Sequence, residues 1–181
     1  DVPSFVSFLQ RKTAAARRQV IRLPEDFPDK LAYARKMLGE TVIAMPYLGA
    51  GLDSLYQLAG WDIFGPTVAE APDVIVEYLD ARADCTVQAV HLYAEYLTAA
   101  HCPVALGAYS DIAYNNGLLL SPKFLRVALK PALVKIAAAY HEHGIKVVYH
   151  SEGDIRGFVP DLIEAGLDGI NPLSPSENMD A

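Results

Sequence analysis

The spacing of apolar residues predicts a chain of helices separated by short strands. Apolar residues recur every three or four positions in six stretches, as expected for amphipathic helices. These stretches are 4–20, 26–39, 51–60, 71–100, 121–144 and 155–165. Pro131 lies inside the fifth stretch and is expected to kink or restart that helix. A break that divides the stretch 71–100 into two helices also fits its pattern.

Four short runs of apolar residues fall between the helical stretches, at 42–47, 104–107, 146–149 and 169–171. Strands without polar alternation are typical of a parallel sheet that helices cover, so the predicted fold class is α/β. A doubly wound sheet and a (β/α)8 TIM barrel both fit this order. The doubly wound alternative lacks a glycine-rich phosphate-binding fingerprint. Polar residues instead cluster where strands end, as they do at the rim of a barrel.

The length of the chain limits how much of a barrel it can form. A complete barrel takes about 250 residues, whereas this chain has 181. We therefore expect a partial (β/α)8 barrel, with parallel strands and outer helices, that belongs to a longer chain. Residues 1–40 are predicted to be a helical lead-in segment and residues 41–181 the barrel portion. Unpaired strand edges would favour self-association if the chain is truncated.

Composition and charge exclude several classes of function. Hydrophobic residues make up 52% of the chain and charged residues 20%, as in globular proteins. The net charge of −7 argues against binding to nucleic acid or to an anionic membrane surface. The two cysteines, Cys85 and Cys102, cannot form a disulfide framework. Since no transmembrane run or signal-peptide pattern occurs, we expect a cytoplasmic protein.

The strand ending near His150 is followed by the polar turn Ser151-Glu152-Gly153-Asp154. Residues two apart on a strand point the same way, so His150 and Glu152 can face one point. Zinc accepts imidazole nitrogen and carboxylate oxygen, and catalytic zinc takes three protein ligands. In the alternative interpretation, His150 bonds to a neighbouring loop while Glu152 and Asp154 solvate the turn or cap the next helix.

Two other strand ends bring polar residues to the same predicted edge. Asp111 follows Ser110 at the end of one strand, and Asn171 ends another. Asp111 is a candidate for hydrogen bonding to substrate or for orienting a metal-bound histidine. The alternative is an Asx turn that starts the loop. His141 and His143 lie at the end of a helix, where they are expected to complement the helix dipole instead of binding metal.

Residues 111–172 contain several recognisable motifs: Asp111-Ile112-Ala113, Gly117, Ser121-Pro122, Pro131, the His150-x-Glu152-Gly153 turn and the segment GLDGINP. With these motifs, the segment resembles the second half of a uroporphyrinogen decarboxylase (URO-D) superfamily domain. The upstream segments GWDIFG and EAPDVIVEYL are similar to that family less specifically. The resemblance implies a (β/α)8 barrel and two branches. One branch decarboxylates uroporphyrinogen without a cofactor; the other transfers methyl groups between a corrinoid and a thiol-type acceptor, using zinc.

The resemblance also implies roles for particular residues. His150 matches the histidine of the methyltransferase branch, whereas Glu152 stands where that branch has a zinc-binding cysteine. Tyr56 matches the active-site tyrosine of the decarboxylase branch. The expected sites are metal ligands His150 and Glu152, catalytic residues Asp111, Glu152 and Tyr56, and substrate-binding residues Tyr114, Asn171 and Ser151. The implied cofactors are zinc and a corrinoid on a partner protein, and the implied partners are a small-molecule substrate and that corrinoid protein.

Three functions from different classes remain open at this point. The first is metal-dependent methyl transfer. The second is uroporphyrinogen decarboxylation in porphyrin biosynthesis. A substrate with eight carboxylates calls for arginines, and Arg156 is the one arginine close to the predicted rim. The third is a non-catalytic partial barrel that serves as a binding module.

Overall fold

The computed structural model describes residues 1–39, 51–101 and 104–180. These residues form eight α-helices and five short strands. The helices are α1 (Val2–Ala16), α2 (Phe27–Leu38), α3 (Leu52–Ala59), α4 (Trp61–Glu70), α5 (Pro72–Ala99), α6 (Pro122–Ala128), α7 (Lys130–His141) and α8 (Val159–Glu164). The strands are β1 (Val104–Tyr109), β2 (Ala113–Tyr114), β3 (Gly117–Leu118), β4 (Lys146–His150) and β5 (Gly169–Asn171).

Helix boundaries follow capping residues and prolines. The Ser121 hydroxyl accepts a hydrogen bond from the Phe124 N–H at the start of α6, and Pro122 occupies the first turn, where its missing N–H costs nothing. The helix restarts at Lys130, next to Pro131, so the predicted interruption is confirmed. Residues 72–99 form one continuous helix of 28 residues, without the break that the sequence left open. Helix α4 was not among the predicted helices.

Strands β1, β4 and β5 form a parallel sheet in the order β1-β4-β5. Tyr109 is paired with His150, and His150 is paired with Asn171. The polar ends of the three strands therefore lie side by side along one edge of the sheet. This row of strand ends is the framework on which the candidate site is built.

The predicted α/β class with parallel strands is confirmed, whereas the partial barrel stays a prediction. In the part of the chain that the structure describes, the parallel sheet has three strands and does not close on itself. The predicted strand at 42–47 lies outside the described residues. The division into a lead-in segment and a barrel portion at residue 40 also stays a prediction.

A small antiparallel hairpin follows β1 and was not predicted. Strands β2 and β3 pair through Ala113–Leu118 and Tyr114–Gly117, with Asn115 and Asn116 between them. The Asn-Asn-Gly sequence was the available signal, because such residues favour tight turns. The hairpin places Tyr114 and Asn115 beside the strand ends.

The long helix α5 packs against α1 on one side and α7 on another, and α7 covers β1 and β4. Large side chains that are fully buried between these elements include Leu79, Leu97, Tyr140 and Tyr149. None of the helices within the described ranges is both long and apolar enough to cross a lipid bilayer.

Candidate active site

The carboxylate of Asp111 bridges the ends of β1 and β4. Its Oδ2 accepts a hydrogen bond of 3.0 Å from the Tyr109 hydroxyl. Its Oδ1 accepts one of 3.0 Å from the backbone N–H of Glu152. Because both oxygens are held, Asp111 fixes the turn that carries Glu152 as well as its own orientation. An Asx turn within its own loop does not account for these contacts.

Tyr56 reaches the same place from α3. Its hydroxyl donates a hydrogen bond of 2.9 Å to the carbonyl oxygen of Asp111, and its ring stacks on Trp61 at 5.0 Å. Burial raises the pKa of the Tyr56 phenol well above its ordinary value, and the charges of Asp53 and Asp111 raise it further. Tyr56 is therefore a neutral hydrogen-bond donor across the physiological pH range.

An acidic cavity of about 220 Å³ opens at this edge of the sheet. Carboxylates of Asp111, Glu152 and Glu177 line it together with the phenols of Tyr56 and Tyr114. Its described lining includes neither lysine nor arginine and is completed by Ala113, Asn115, Leu119 and Gly153. Four of the predicted site residues, Tyr56, Asp111, Tyr114 and Glu152, thus meet in one cavity. Its charge favours a bound cation.

The turn that carries Glu152 is fitted closely onto the β2–β3 hairpin. Gly153 has a φ of +87°, and a Cβ at this position would lie 2.8 Å from the backbone of Ala113 and Tyr114. Its N–H donates to Glu177 Oε2 at 3.2 Å, and the next N–H, of Asp154, donates to the Tyr114 carbonyl at 2.7 Å. A glycine is needed here both for its conformation and for the close approach.

His150 lies beside this cavity and is oriented by Asn171. The two side chains face each other at 3.2 Å between Nδ1 and Oδ1, and the His150 ring stacks on Tyr109 at 5.2 Å. In the tautomer that donates from Nδ1, Nε2 carries the lone pair that a metal would need. A histidine that binds metal commonly donates its other ring N–H to a hydrogen-bond acceptor, which orients the ring. His150 and Asn171 do not line the acidic cavity itself.

Ser151 is buried below the rim. Its hydroxyl accepts a hydrogen bond of 3.1 Å from the Ile112 N–H and donates one of 3.0 Å to the Glu152 carbonyl. These contacts hold the ends of β1 and β4 together. Its role in substrate binding, like those of Tyr114 and Asn171, stays a prediction.

The side chains at the strand ends include residue types that bind zinc, but they supply only part of a zinc site. Among residues 1–39, 51–101 and 104–180, no three or more His, Cys, Asp or Glu side chains are grouped so as to hold one metal ion. His150 and Glu152 offer an imidazole and a carboxylate, which are both zinc ligands. A zinc ion held here would therefore take its third protein ligand from outside the described residues.

Asp53, under the cavity, is a residue that the sequence did not single out. The Ser110 hydroxyl donates to Asp53 Oδ1 at 3.0 Å, and the Asp53 N–H donates back to that hydroxyl at 3.1 Å. Burial raises the pKa of Asp53, and the nearby charge of Asp111 adds to this, although the hydrogen bond from Ser110 opposes it. An acidic residue in the first turn of a helix is common because it complements the dipole. No sequence signal therefore set Asp53 apart.

Arg156, the arginine near the rim, is already paired. It donates to the two oxygens of Asp154 at 2.9 and 2.7 Å, and the hydrogen bond from Arg156 holds the pKa of Asp154 below its ordinary value. The pair lines a separate, open depression with residues 116–122 and 157. Arg156 is thus not part of the acidic cavity.

The two helix-end histidines have protein partners. His141 Nε2 lies 2.8 Å from Asp168 Oδ2, and His143 Nε2 lies 2.9 Å from His91 Nδ1 on α5. The Asp168 carboxylate also accepts the Val147 N–H at 2.8 Å, so it ties the end of α7 to the start of β4. These contacts give His141 a structural setting away from the rim.

The fold has a counterpart among solved structures. A methyltransferase from Methanosarcina mazei superposes on it with a TM-score of 0.58, over 86% of this chain and 48% of that chain, at 18% sequence identity. The chain thus spans about half the length of that protein. At this level of identity the likeness shows a shared fold. No protein-family model matches the chain, and a sequence comparison with curated proteins finds no match.

Proposed function

We propose that this chain is part of an enzyme of the URO-D superfamily that transfers a methyl group at the acidic cavity. The observation that carries the proposal is the fixed Asp111 carboxylate, which meets Glu152 and Tyr56 at the carboxyl ends of parallel strands. Enzymes built on parallel (β/α) units place their active sites at that edge. The shared fold with a solved methyltransferase and the motifs between 111 and 172 support the same assignment.

The chain's own residues would bind the acceptor and take its proton. A thiol-type acceptor enters the cavity and loses its proton, which the Glu152 carboxylate takes if it is not a metal ligand. The sulfur then forms a bond to the methyl carbon, while the bond between methyl and donor breaks and its electrons stay with the donor. Asp111 holds the Glu152 turn in place, and Tyr56 donates a hydrogen bond to the backbone beside it. The proposed donor is a corrinoid on a partner protein or another methylated compound.

Zinc is the proposed metal, with His150 and Glu152 as two of its ligands. Bound there, zinc would lower the pKa of the acceptor thiol. Asn171 would keep the His150 ring oriented, because its amide oxygen accepts from the other ring nitrogen. Glu152 serves either as the second ligand or as the proton acceptor, and the metal content of its variants distinguishes these two roles.

The character of the cavity favours methyl transfer over porphyrinogen decarboxylation. A polycarboxylate substrate needs cationic partners, and fork-shaped arginines suit it best. The described lining offers three carboxylates instead, and Arg156 is engaged by Asp154. Such a lining repels a substrate with eight carboxylates.

The metal content of the full-length protein tests this proposal, with two histidine variants as a matched pair. We expect about one zinc per chain in mass spectrometry, no zinc after His150→Ala, and unchanged zinc after His141→Ala. Glu152→Cys should retain the metal or bind it more tightly if Glu152 is a ligand, because thiolate suits zinc well.

Transfer from methylcobalamin to a small thiol gives the second readout. Activity should fall with chelation and with His150→Ala, but not with His141→Ala. A metal-free protein whose activity survives a chelator and His150→Ala would refute metal ligation. Release of carbon dioxide from a porphyrinogen by the same protein would favour the decarboxylase alternative. Ligand binding without either reaction would favour a binding module.

A further inference from the structure

A second cavity, of about 460 Å³, lies on the other side of α3 and has the opposite electrostatic character. Tyr56 on α3 lines the acidic cavity, whereas Ser54, Leu55 and Leu58 line this second cavity. Its volume is within the range of small-molecule sites, roughly 300–1,000 Å³. Its other walls come from α1, the segment after α1 and α5, and contain Phe8, Lys12, Ala15, Ala16, Gln19, Tyr78 and Arg82.

The walls of this cavity combine an apolar surface with two cations from different helices. Phe8, Leu55, Leu58 and Tyr78 supply the apolar part, and Leu58 is 64% exposed although it is a large apolar residue. Lys12 and Arg82 supply the charge, and no acidic residue is among the described lining. A ligand that covered Leu58 would remove apolar surface from water, which is favourable.

Arg82 is half-buried and has no ion-pair or hydrogen-bond partner within the described residues. The acidic residues nearest to it in sequence, Asp80 and Asp84, both pair with Lys135 on α7. Residues two apart on a helix point in different directions, so these carboxylates face away from Arg82. A guanidinium without a counter-charge is available to a bound anion, with which it can form charge-assisted hydrogen bonds.

The charge along the chain concentrates cations near this cavity. Residues 2–24 contain five basic residues and no acidic residue, whereas the whole chain has a net charge of −7. The five are Arg11, Lys12, Arg17, Arg18 and Arg22. The end of α1 and the segment after it are therefore rich in positive charge, which attracts anions.

We infer that this cavity binds a small organic anion with an apolar body and one carboxylate or similar group. The anionic group lies between Lys12 and Arg82, and the apolar body covers Leu55, Leu58 and the rings of Phe8 and Tyr78. The inference rests on this cavity alone and is independent of the reaction proposed for the acidic site.

Calorimetric titration of the purified protein with 4-phenylbutanoate tests the site, and the neutral 4-phenylbutanamide is the control ligand. We expect saturable binding of the acid and at least roughly tenfold weaker binding of the amide, because the amide cannot form charge-assisted hydrogen bonds. Lys12→Gln and Arg82→Gln should each weaken binding of the acid by roughly tenfold.

Arg11→Gln is the matched control, since it removes the same charge from the same turn of α1. Arg11 donates to Ser7 and does not line the cavity, so its loss should change affinity by less than about twofold. Ala15→Trp keeps the charge and fills the cavity, so it should abolish binding. Any of three results would overturn the site. These are an equal affinity for the acid and the amide, a loss of affinity in Arg11→Gln as large as that in Lys12→Gln, and the absence of saturable binding.

Discussion

The hydroxyl of Tyr149 donates a hydrogen bond of 2.7 Å to the carbonyl oxygen of Ser110, across the ends of β4 and β1. The Ser110 side chain in turn bonds to Asp53, so this contact links the sheet to α3 below the acidic cavity. Tyr140 provides a comparison, because it is equally buried but its hydroxyl has no hydrogen-bond partner among the described residues.

These two tyrosines should respond oppositely to loss of the hydroxyl. Tyr149→Phe leaves a buried carbonyl without its partner and is expected to lower the free energy of unfolding by about 1–2 kcal/mol. Tyr140→Phe removes a buried hydroxyl that bonds to none of the described residues, so stability should stay the same or rise. Urea denaturation of both variants measures the difference. Equal losses would show that the Tyr149 bond does not stabilise this edge of the sheet.

Gly153 lies so close to the β2–β3 hairpin that adding a single methyl group there should greatly lower the stability of the protein. Gly153→Ala would place a Cβ 2.8 Å from backbone atoms and keep a φ of +87°, so we expect a loss of about 3 kcal/mol or more. Gly144→Ala is the control, because its φ is +68° but no atom lies within 4 Å of its Cβ position. That variant should lose only about 1 kcal/mol. Similar losses in thermal unfolding would contradict the contact with the hairpin.

The elements with strong local signals could be predicted from the sequence. The strand runs at 104–107, 146–149 and 169–171 all form parallel strands, as their mainly apolar sequences between helical stretches predicted. The ends of those strands led directly to Asp111 and Glu152, which do line one cavity.

The features that depend on packing could not be predicted. Asp53 and Glu177 reach the site from parts of the chain that are distant in sequence from Asp111 and Glu152. The sequence around each of them suits a helix start or a surface turn equally well. Arg156 pairs with Asp154, two residues earlier. Predicting this pair requires the geometry of the turn between them, which the spacing of apolar residues does not encode. Local spacing predicts which residues share an element, but not which elements meet.

Asp161 on α8 should contribute stability that depends on pH. Arg126 and Lys130 lie within 3.0 Å of it, and the hydrogen bond from Arg126 holds its pKa below 3.8, although burial opposes this shift. Its contribution is therefore present above pH 3.8 and lost as the pH falls through the lowered value in the folded protein. Asp161→Asn should cost about 2 kcal/mol at pH 7 and progressively less below pH 4.

Glu164→Gln is the control for Asp161→Asn, since Glu164 pairs with the same Lys130 but is 70% exposed. An exposed pair contributes little, so that variant should change stability by less than about 0.5 kcal/mol. Urea denaturation at several pH values measures both. A pH-independent loss for Asp161→Asn would mean that packing, and not charge, accounts for its effect.

The open edge of β5 predicts self-association. Within the described residues β5 pairs with β4 on one side only, and unpaired edges offer backbone groups to another strand. Sedimentation velocity over a range of concentrations should detect a dimer of the 181-residue chain. A monodisperse monomer at all concentrations would contradict this prediction.

The buried position of Asp53 should lower the stability of the folded protein at neutral pH. Its carboxylate is buried, and its pKa in the folded protein is raised above 3.8. Ionisation of Asp53 therefore favours the unfolded state as the pH rises through that raised value. Asp53→Asn keeps an oxygen for the Ser110 hydroxyl and removes the charge. It should increase the free energy of unfolding at pH 7, by up to about 1 kcal/mol, and the gain should vanish as the pH falls below 3.8. Urea denaturation at pH 7 and at a pH below 3.8 measures the gain. Asp161→Asn is the control, because its effect on stability at pH 7 is expected to have the opposite sign. A loss of stability at pH 7 would show that the hydrogen bonds to the charged carboxylate and its place in the first turn of α3 outweigh the cost of its burial.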